Sequence, residues 1–347
     1  MPFPIDPPVE PMLARPQTEI PRGDEWLYEP KWDGFRAIVF RDGGDFHIGS
    51  RKTQPLGRYF PEVIETLRAA LPKRCVVDGE IVIAGARGLD FDALLLRIHP
   101  AESRVRLLAS EIPASYVAFD LLAAGDKDLR AEPFHRRTRR LHDSIRISDS
   151  CLLTPQTSDH QIAQSWFEEF EGAGLDGIVA KLRDDPYLPG ERAMVKIKHQ
   201  RTADCVVGGY RLSKEGNGIG SLLLGLYDDQ GHLHYAGHTS SFKAPERKEL
   251  LAMIKPLEGK SSFAGGRVPG GPSRWTQGKD STWITIEPKL VCEVAFDHLQ
   301  GARFRHGTRF LRWRPDKRPQ DCTFDQLLPP HPFSLAEIRK LTAARPE

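Results

Sequence analysis

Glu29-Pro30-Lys31-Trp32-Asp33-Gly34-Phe35-Arg36 sets a lysine between two carboxylates, ends on an arginine, and carries Trp32 and Phe35 beside the charged positions. A free lysine amine titrates near ~10.4, so at neutral pH on the order of one in a few thousand is deprotonated and able to attack an electrophile. Burial against Trp32 and Phe35 is expected to disfavour the charged form, and a divalent metal held by Asp33 would do so more strongly. The same residue types equally suit a surface lysine on an edge strand that ends in a glycine turn. On either reading Trp26–Glu29 and Phe35–Phe40 alternate as strands, which puts Lys31 at the mouth of the turn joining them.

The chain around this stretch has 347 residues, enough for two domains or one large one with a substantial core. Lysine and arginine total 49 against 47 aspartate and glutamate, a net charge of +2, so there is no global basic field and any nucleic-acid surface must be local. The five cysteines, at 75, 151, 205, 292 and 322, include no Cys-x-x-Cys pair, which argues against a zinc ribbon and a disulfide framework and fits a reducing compartment. The opening MPFPIDPPVEPMLARP is too proline-rich for a signal peptide, and no run approaches about 18 apolar residues. The expectation is a soluble intracellular protein.

Residues 1–25 read as an extended segment over the first domain, anchored by Pro11-Met12-Leu13-Ala14. Ser50-Arg51-Lys52 ends a short strand, and Tyr59, Val63 and Leu67 fall at helical spacing. Asp78-Gly79-Glu80 interrupts the apolar strand from Cys75 to Ile83, an odd place for acids, because a buried carboxylate costs free energy unless it is paired or used. Tyr116–Leu122 is a further apolar strand containing Phe119. Arg136, Arg137, Arg139 and Arg140 crowd a helix starting at Phe134, either as a solvated flank or as phosphate contacts.

Gly174-Leu-Asp176-Gly177 feeds an apolar strand ending at Lys181, and Met194-Val-Lys196-Ile-Lys198 projects both lysines from one strand face. Such like charges repel unless an anion lies between them; otherwise they protect a strand edge. After His199 come short strands, glycine-rich turns and one helix from Ala244 to Met253, an order that suits a small OB-type barrel. Gly265–Pro272 reads as a loop. Arg303–Arg318 holds six arginines and one lysine, including Arg309-Phe-Leu-Arg312-Trp-Arg314-Pro-Asp316-Lys317, and residues 329–347 read as a tail with a short final helix.

Lys31-x-Asp33-Gly34-x-Arg36 resembles the signature of the covalent nucleotidyltransferases: ATP-dependent DNA ligases, RNA ligases and mRNA capping enzymes. The segments at Arg51, Asp78–Glu80, Phe119, Asp176–Lys181, Lys196–Lys198 and Arg314–Lys317 are similar to the family's later motifs and follow in family order. The forms Leu-Asp-Gly-Ile-Val-Ala-Lys and Arg-Trp-Arg-Pro-Asp-Lys look most similar to the small bacterial ligases called ligase C and to the ligase domain of the end-joining ligase D. The resemblance implies an α+β fold. Residues 1–200 would be an adenylation domain of ATP-grasp-like antiparallel sheets with helices, and residues 201–328 an OB-fold barrel, with 329–347 as the tail.

It also implies roles. Lys31 would attack the α-phosphorus of ATP, Glu29 and Phe119 would hold adenine, and Arg36, Arg51 and Glu80 would hold the ribose and nick phosphate. Lys196 and Lys198 would face the α-phosphate and leaving group, Lys181 would join the nucleotide site, and Arg314 and Asp316 would orient pyrophosphate. Asp33 and Asp176 would hold Mg2+, with Mn2+ as an alternative ion. Many members carry Glu where this chain has Asp176, whose shorter arm makes a water-bridged contact an option. With no four-cysteine module, ATP rather than NAD is the expected cofactor. Expected partners are nicked duplex DNA and a repair polymerase or end-binding protein, with no membrane; the protein would be a monomer in the cytoplasm at the nucleoid. Two rivals stand beside this reading: a GTP-using capping guanylyltransferase, and a catalytically silent fold that grips nucleic acid.

Overall fold

In the computed structural model, which describes residues 3–85, 88–170, 175–259, 262–264, 282–297, 299–301 and 303–327, alternation along Phe35–Asp42 sends Ala37 and Val39 into one core and Ile38 and Phe40 into another. A strand buried on both faces belongs in the middle of a layered domain. It lies in a six-stranded sheet whose main order is Cys151–Leu153, Ser115–Ala124, Arg74–Val82, Phe35–Asp42, Asp45–Ser50. The Pro61–Ala70 helix presents Val63 and Leu67 to one face of this sheet. Against the other face lies a four-stranded sheet in the order Ala14–Gln17, Met194–Ile197, Ile178–Leu182, Trp26–Pro30. Tyr28, Ile178 and Val195 of the second sheet share a core with Val82 and Val117 of the first, and Trp166 of the His160–Glu169 helix joins them. Both sheets are antiparallel except for one parallel edge strand each, Cys151–Leu153 in the first and Ala14–Gln17 in the second.

Two sequence expectations are refined. Trp26–Pro30 and Phe35–Asp42 are strands, but they belong to different sheets, so Lys31–Gly34 crosses between layers instead of turning a hairpin. The crossing is tight: a Cβ at Gly34 would collide with the carbonyl oxygen of Ile81. The N-terminal segment is more than a cover. Met12 is buried, and Ala14–Gln17 pairs in parallel with the strand that carries Lys196.

The arginine-rich helix, Phe134–Ser144, divides its charges. Arg136, Arg139 and Arg140 are exposed, whereas Arg137 is fully buried with Phe134, Thr138 and Leu141 and clasps Asp120 through two hydrogen bonds of 2.8 and 3.0 Å. Arg137 is therefore a brace between helix and sheet, and the phosphate-contact reading does not extend to it.

The contacts divide the chain into two units at His199 and Gln200. The second unit is a five-stranded antiparallel sheet in the order Leu233–Thr239, Ile219–Tyr227, Arg201–Leu212, Ile284–Phe296, Arg309–Trp313. The Leu233–Thr239 strand, third in chain order, bridges in parallel to Thr308, just before the last strand, with Thr239 Oγ1 donating to the Thr308 carbonyl at 2.8 Å and the Thr308 amide to the His238 carbonyl at 2.9 Å. A first strand shared by second and fourth, a parallel third-to-fifth closure, and the Ala244–Ile254 helix after the third strand make an OB barrel. Tyr210, Leu222, Leu224, Ala236 and Val294 fill it. All five cysteines are buried free thiols. Among the described residues no helix is long and apolar enough to cross a membrane. The loop expected at Gly265–Pro272 and the tail expected at 329–347 lie outside the described residues.

Candidate active site

Lys31 follows directly on the Trp26–Pro30 strand, and its backbone is clamped on both sides: its amide donates to Gly177 at 2.8 Å and its carbonyl accepts from Asp176 at 2.9 Å. Gly177 adopts φ +124°, a conformation that side chains resist, and a Cβ there would strike the Ile197 carbonyl. This clamp delivers the Asp176 carboxylate to the lysine. Asp176 Oδ2 lies 2.8 Å from Lys31 Nζ and 2.6 Å from Lys198 Nζ, so two ammonium groups share one oxygen.

The electrostatics overturn one expectation. Burial does pull the Lys31 amine downward, but the Asp176 charge and hydrogen bond, helped by Asp33 and Glu80, outweigh it and raise Lys31 above its ordinary value. The lysine is held as an ammonium ion. Its chain neighbours do not enclose it as the sequence suggested, because Trp32 turns away to donate to Thr154 Oγ1 at 3.0 Å and Phe35 packs edge-on to Phe60 and Phe91. Lys196 shifts the other way, lowered by burial and by the nearby charges of Lys198, Lys31, Arg51 and Arg192. Lys31, Lys198, Arg51 and Arg192 thus all act on Lys196, a gathering of cations suited to a polyanion.

A second cluster lies on the same pair of sheets. Glu29 is buried; Lys181 Nζ approaches its Oε2 at 2.7 Å and Gln156 Nε2 donates to its Oε1 at 3.0 Å. Burial raises the Glu29 carboxyl, with Lys181 and Gln156 opposing. The Lys181 ammonium also lies 4.8 Å from the centre of the Phe119 ring and 4.5 Å from that of Phe134, and the Arg36 guanidinium lies 4.3 Å from Phe119. Arg36 is fixed by two 2.6 Å hydrogen bonds to Asp78, a fully buried carboxylate that also accepts from the Tyr187 hydroxyl at 2.6 Å. Tyr187 in turn accepts from the Met12 amide at 2.9 Å, so the N-terminal segment is tied to Arg36.

Glu80 pairs across the sheet with Arg36. Burial pushes its carboxyl up to about 7 against the pull of Arg36 and Lys31, with Asp33 and Asp78 adding to the rise. Arg51 is exposed just beyond the Asp45–Ser50 strand. Sequence reasoning gave no role to Gln156, Tyr187 or Asp78, and only Asp78, an acid inside an apolar strand, carried a signal that could have found it.

Arg314 and Asp316 belong to the barrel unit and have partners there. Arg314 is held between Asp204, at 2.9 and 3.1 Å, and Asp316, at 2.8 Å, and Lys317 also binds Asp204, at 2.9 Å. Gln326 fixes Asp204 by accepting from its amide at 2.7 Å and donating to its carbonyl at 3.0 Å. No group of three or more His, Cys, Asp or Glu among the described residues forms a ready metal cage. Mg2+ commonly uses one or two carboxylates together with substrate phosphates and water, and Asp33 and Asp176 supply hard oxygen donors of that kind beside Lys31.

The profile of the ATP dependent DNA ligase domain matches residues 11–198, and that of the ATP dependent DNA ligase C terminal region matches residues 215–317. The chain belongs to the ATP-dependent DNA ligase family. Two relatives align over nearly all of it: DNA ligase C of Mycobacterium tuberculosis, 50% identical over 97% of this chain and 99% of that protein, and DNA ligase C1 of Mycolicibacterium smegmatis, 48% identical with the same shares covered. A solved structure from an analysis of Lig E DNA ligases has a similar fold, with a TM-score of 0.54 at 18% identity over 87% of this chain and 99% of that one. This ligase-family chain therefore combines a nucleotidyltransferase unit with an OB barrel.

Proposed function

We propose that this chain seals nicks bearing a 5′-phosphate and a 3′-hydroxyl in duplex DNA, using ATP and passing through AMP covalently bound to Lys31. The observation that carries the reading is the sharing of Asp176 by Lys31 and Lys198, with the Lys196 amine close enough to both lysines to be lowered by their charges. Phosphoryl transfer needs positioning and charge neutralisation more than covalent help, and this cluster supplies both. Lys31 must first shed the proton that Asp176 stabilises. Its nitrogen then bonds to the α-phosphorus as the bond to pyrophosphate breaks, the nick's 5′-phosphate oxygen takes the AMP, and the 3′-hydroxyl oxygen displaces AMP to close the strand. Asp33 and Asp176 would hold Mg2+, which neutralises phosphate charge when bound.

Within this proposal Glu29, Phe119 and Lys181 form the base side of the nucleotide site, and Arg36, Arg51 and Glu80 the ribose and nick side. Arg314 and Asp316 act on the pyrophosphate. Residues 1–200 form the adenylation domain, 201–328 the OB domain and 329–347 a tail. The protein works as a monomer in the bacterial cytoplasm at the nucleoid, in DNA repair, beside a polymerase or end-binding protein.

The test is to incubate the protein with Mg2+ and α-labelled ATP, α-labelled GTP or labelled NAD, then denature it. Label is expected from ATP alone, absent in Lys31→Ala, and released on adding nicked duplex as sealed product appears. Label from GTP or NAD, or label surviving in Lys31→Ala, would overturn the assignment.

A further inference from the structure

The segment Thr154–Thr157 ties the two sheets of the first unit together, and its backbone is held without help from the Gln156 side chain. The Thr154 amide donates to the Ala118 carbonyl of the six-stranded sheet at 2.9 Å, and the Thr154 hydroxyl accepts from the Trp32 indole at 3.0 Å. Thr157 exchanges two backbone hydrogen bonds, of 2.8 and 3.1 Å, with Tyr28 of the four-stranded sheet. Pro155, between these ties, is buried and Gln156 is half-buried. Among the described residues the Gln156 amide makes a single contact, Nε2 donating to Glu29 Oε1 at 3.0 Å. A carboxylate offers acceptors only, so the amide turns its NH2 group to Glu29 and its carbonyl oxygen away.

Glu29 lies on the strand that leads into Lys31, two residues before it. Its other oxygen meets Lys181, whose ammonium is also 4.8 Å from the centre of the Phe119 ring, so carboxylate and ring share a neighbour. Each oxygen holds one donor, and a carboxylate has about four acceptor positions in all. The open positions suit a base that presents an N–H group. Adenine offers its 6-amino group there, whereas guanine has an oxygen, which would set an acceptor against an acceptor. Such discrimination requires a carboxylate that is both ionised and fixed in rotation. Lys181 alone pins Oε2 and leaves the group free to swing about that contact; Gln156 pins Oε1 and removes the swing. Burial raises the Glu29 carboxyl, Lys181 opposes the rise, Asp120 adds to it, and the Gln156 hydrogen bond works on the side of the ionised form.

We propose that Gln156 is a positioning residue for base selection: it holds the Glu29 carboxylate as an acceptor for the 6-amino group of adenine, and so sets the preference for ATP over nucleoside triphosphates that lack this donor. The proposal deepens the ligase reading and rests on it for the nucleotide. Gln156 acts through Glu29 and leaves the Lys31 chemistry alone.

Gln156→Met keeps the length of the side chain and removes the donor; Gln156→Glu keeps its shape and turns an acceptor to Glu29. Formation of the labelled Lys31 adduct is followed with α-labelled ATP and with α-labelled purine riboside triphosphate, which carries hydrogen in place of the 6-amino group. Wild type should reach half-saturation at an ATP concentration about tenfold below that of the analogue, the worth of one hydrogen bond to a charged group. Both variants should raise the half-saturating ATP concentration by about tenfold, while the value for the analogue and the limiting rates with both nucleotides stay as in wild type. A loss shared equally by the two nucleotides in both variants assigns Gln156 to packing and overturns the proposal. So does a lower limiting rate at unchanged half-saturation, an absence of any change, or a wild type that takes ATP and analogue equally well. A wild type that takes no label from ATP is a separate result, in which the ligase reading falls and the proposal with it.

Discussion

Replacing Lys181 by methionine keeps an apolar stem against Phe119 and Phe134 but leaves the buried Glu29 carboxylate without its cation. Removing one partner of a buried ion pair costs about 3–5 kcal/mol when the survivor stays charged. Glu29 has an escape, because it can take up a proton. Its ordinary value is 4.5, so holding it neutral at pH 7 costs about 1.4 kcal/mol per unit over that interval, or about 3.4 kcal/mol. Protonation therefore caps the loss near ~3 kcal/mol at pH 7 and lowers the cap to about 1 kcal/mol at pH 5. The sign follows from the direction of the shift: the folded-state value lies above the unfolded one, so the loss is small below about 4.5 and grows as pH rises toward the folded value. Urea unfolding of wild type and Lys181→Met from pH 5 to 8 measures the difference. Adding Glu29→Gln should recover all but about 1 kcal/mol, since an amide can still meet Gln156. A loss that does not vary with pH, or a double variant as unstable as the single, would refute the assignment of Lys181 as the counter-ion of Glu29.

Glu80, raised to about 7, should give the wild-type protein a stability that falls as pH rises from about 4.5 through about 7, and Glu80→Gln should remove that part of the slope in the same urea series. On the Phe134–Ser144 helix, Arg137→Met should lower stability by about 3–5 kcal/mol because it abandons Asp120, whereas exposed Arg139→Ala should stay within about 0.5 kcal/mol. Equal effects at the two sites would contradict the brace. Asp204→Asn removes the acid shared by Arg314 and Lys317; it should slow Lys31 labelling more than sealing of a nick supplied already adenylylated, and equal losses in both assays would separate this pair of cations from pyrophosphate.

The strands near Lys31 were legible because alternation is local, but alternation says nothing of which strand pairs with which, and so Lys31–Gly34 looked like a turn within one sheet. The charge state of Lys31 was hidden for a related reason. Trp32 and Phe35 are adjacent in the chain and drew the argument, while Asp176, which decides it, arrives through a backbone clamp from a distant segment. Arg137 could have been separated from its neighbours by the helical spacing of Phe134, Arg137, Thr138 and Leu141, four positions that share the buried face. Tyr187, Gln156 and Asp204 were not legible at all: each is a single polar residue whose partners are set by tertiary contacts.

The reciprocal bonds between Lys31 and the Asp176–Gly177 peptide make the amine and its acid parts of one rigid splint. Both ends of the Lys31–Asp176 pair extend paired strands of the four-stranded sheet, so a displacement of those strands carries the amine and its acid together. What can still change is the tip of the lysine side chain. In the proposed reaction, rotating a few carbon–carbon bonds carries the Lys31 nitrogen away from Asp176, where it gives up its proton to water more readily before attack, with the main chain standing still.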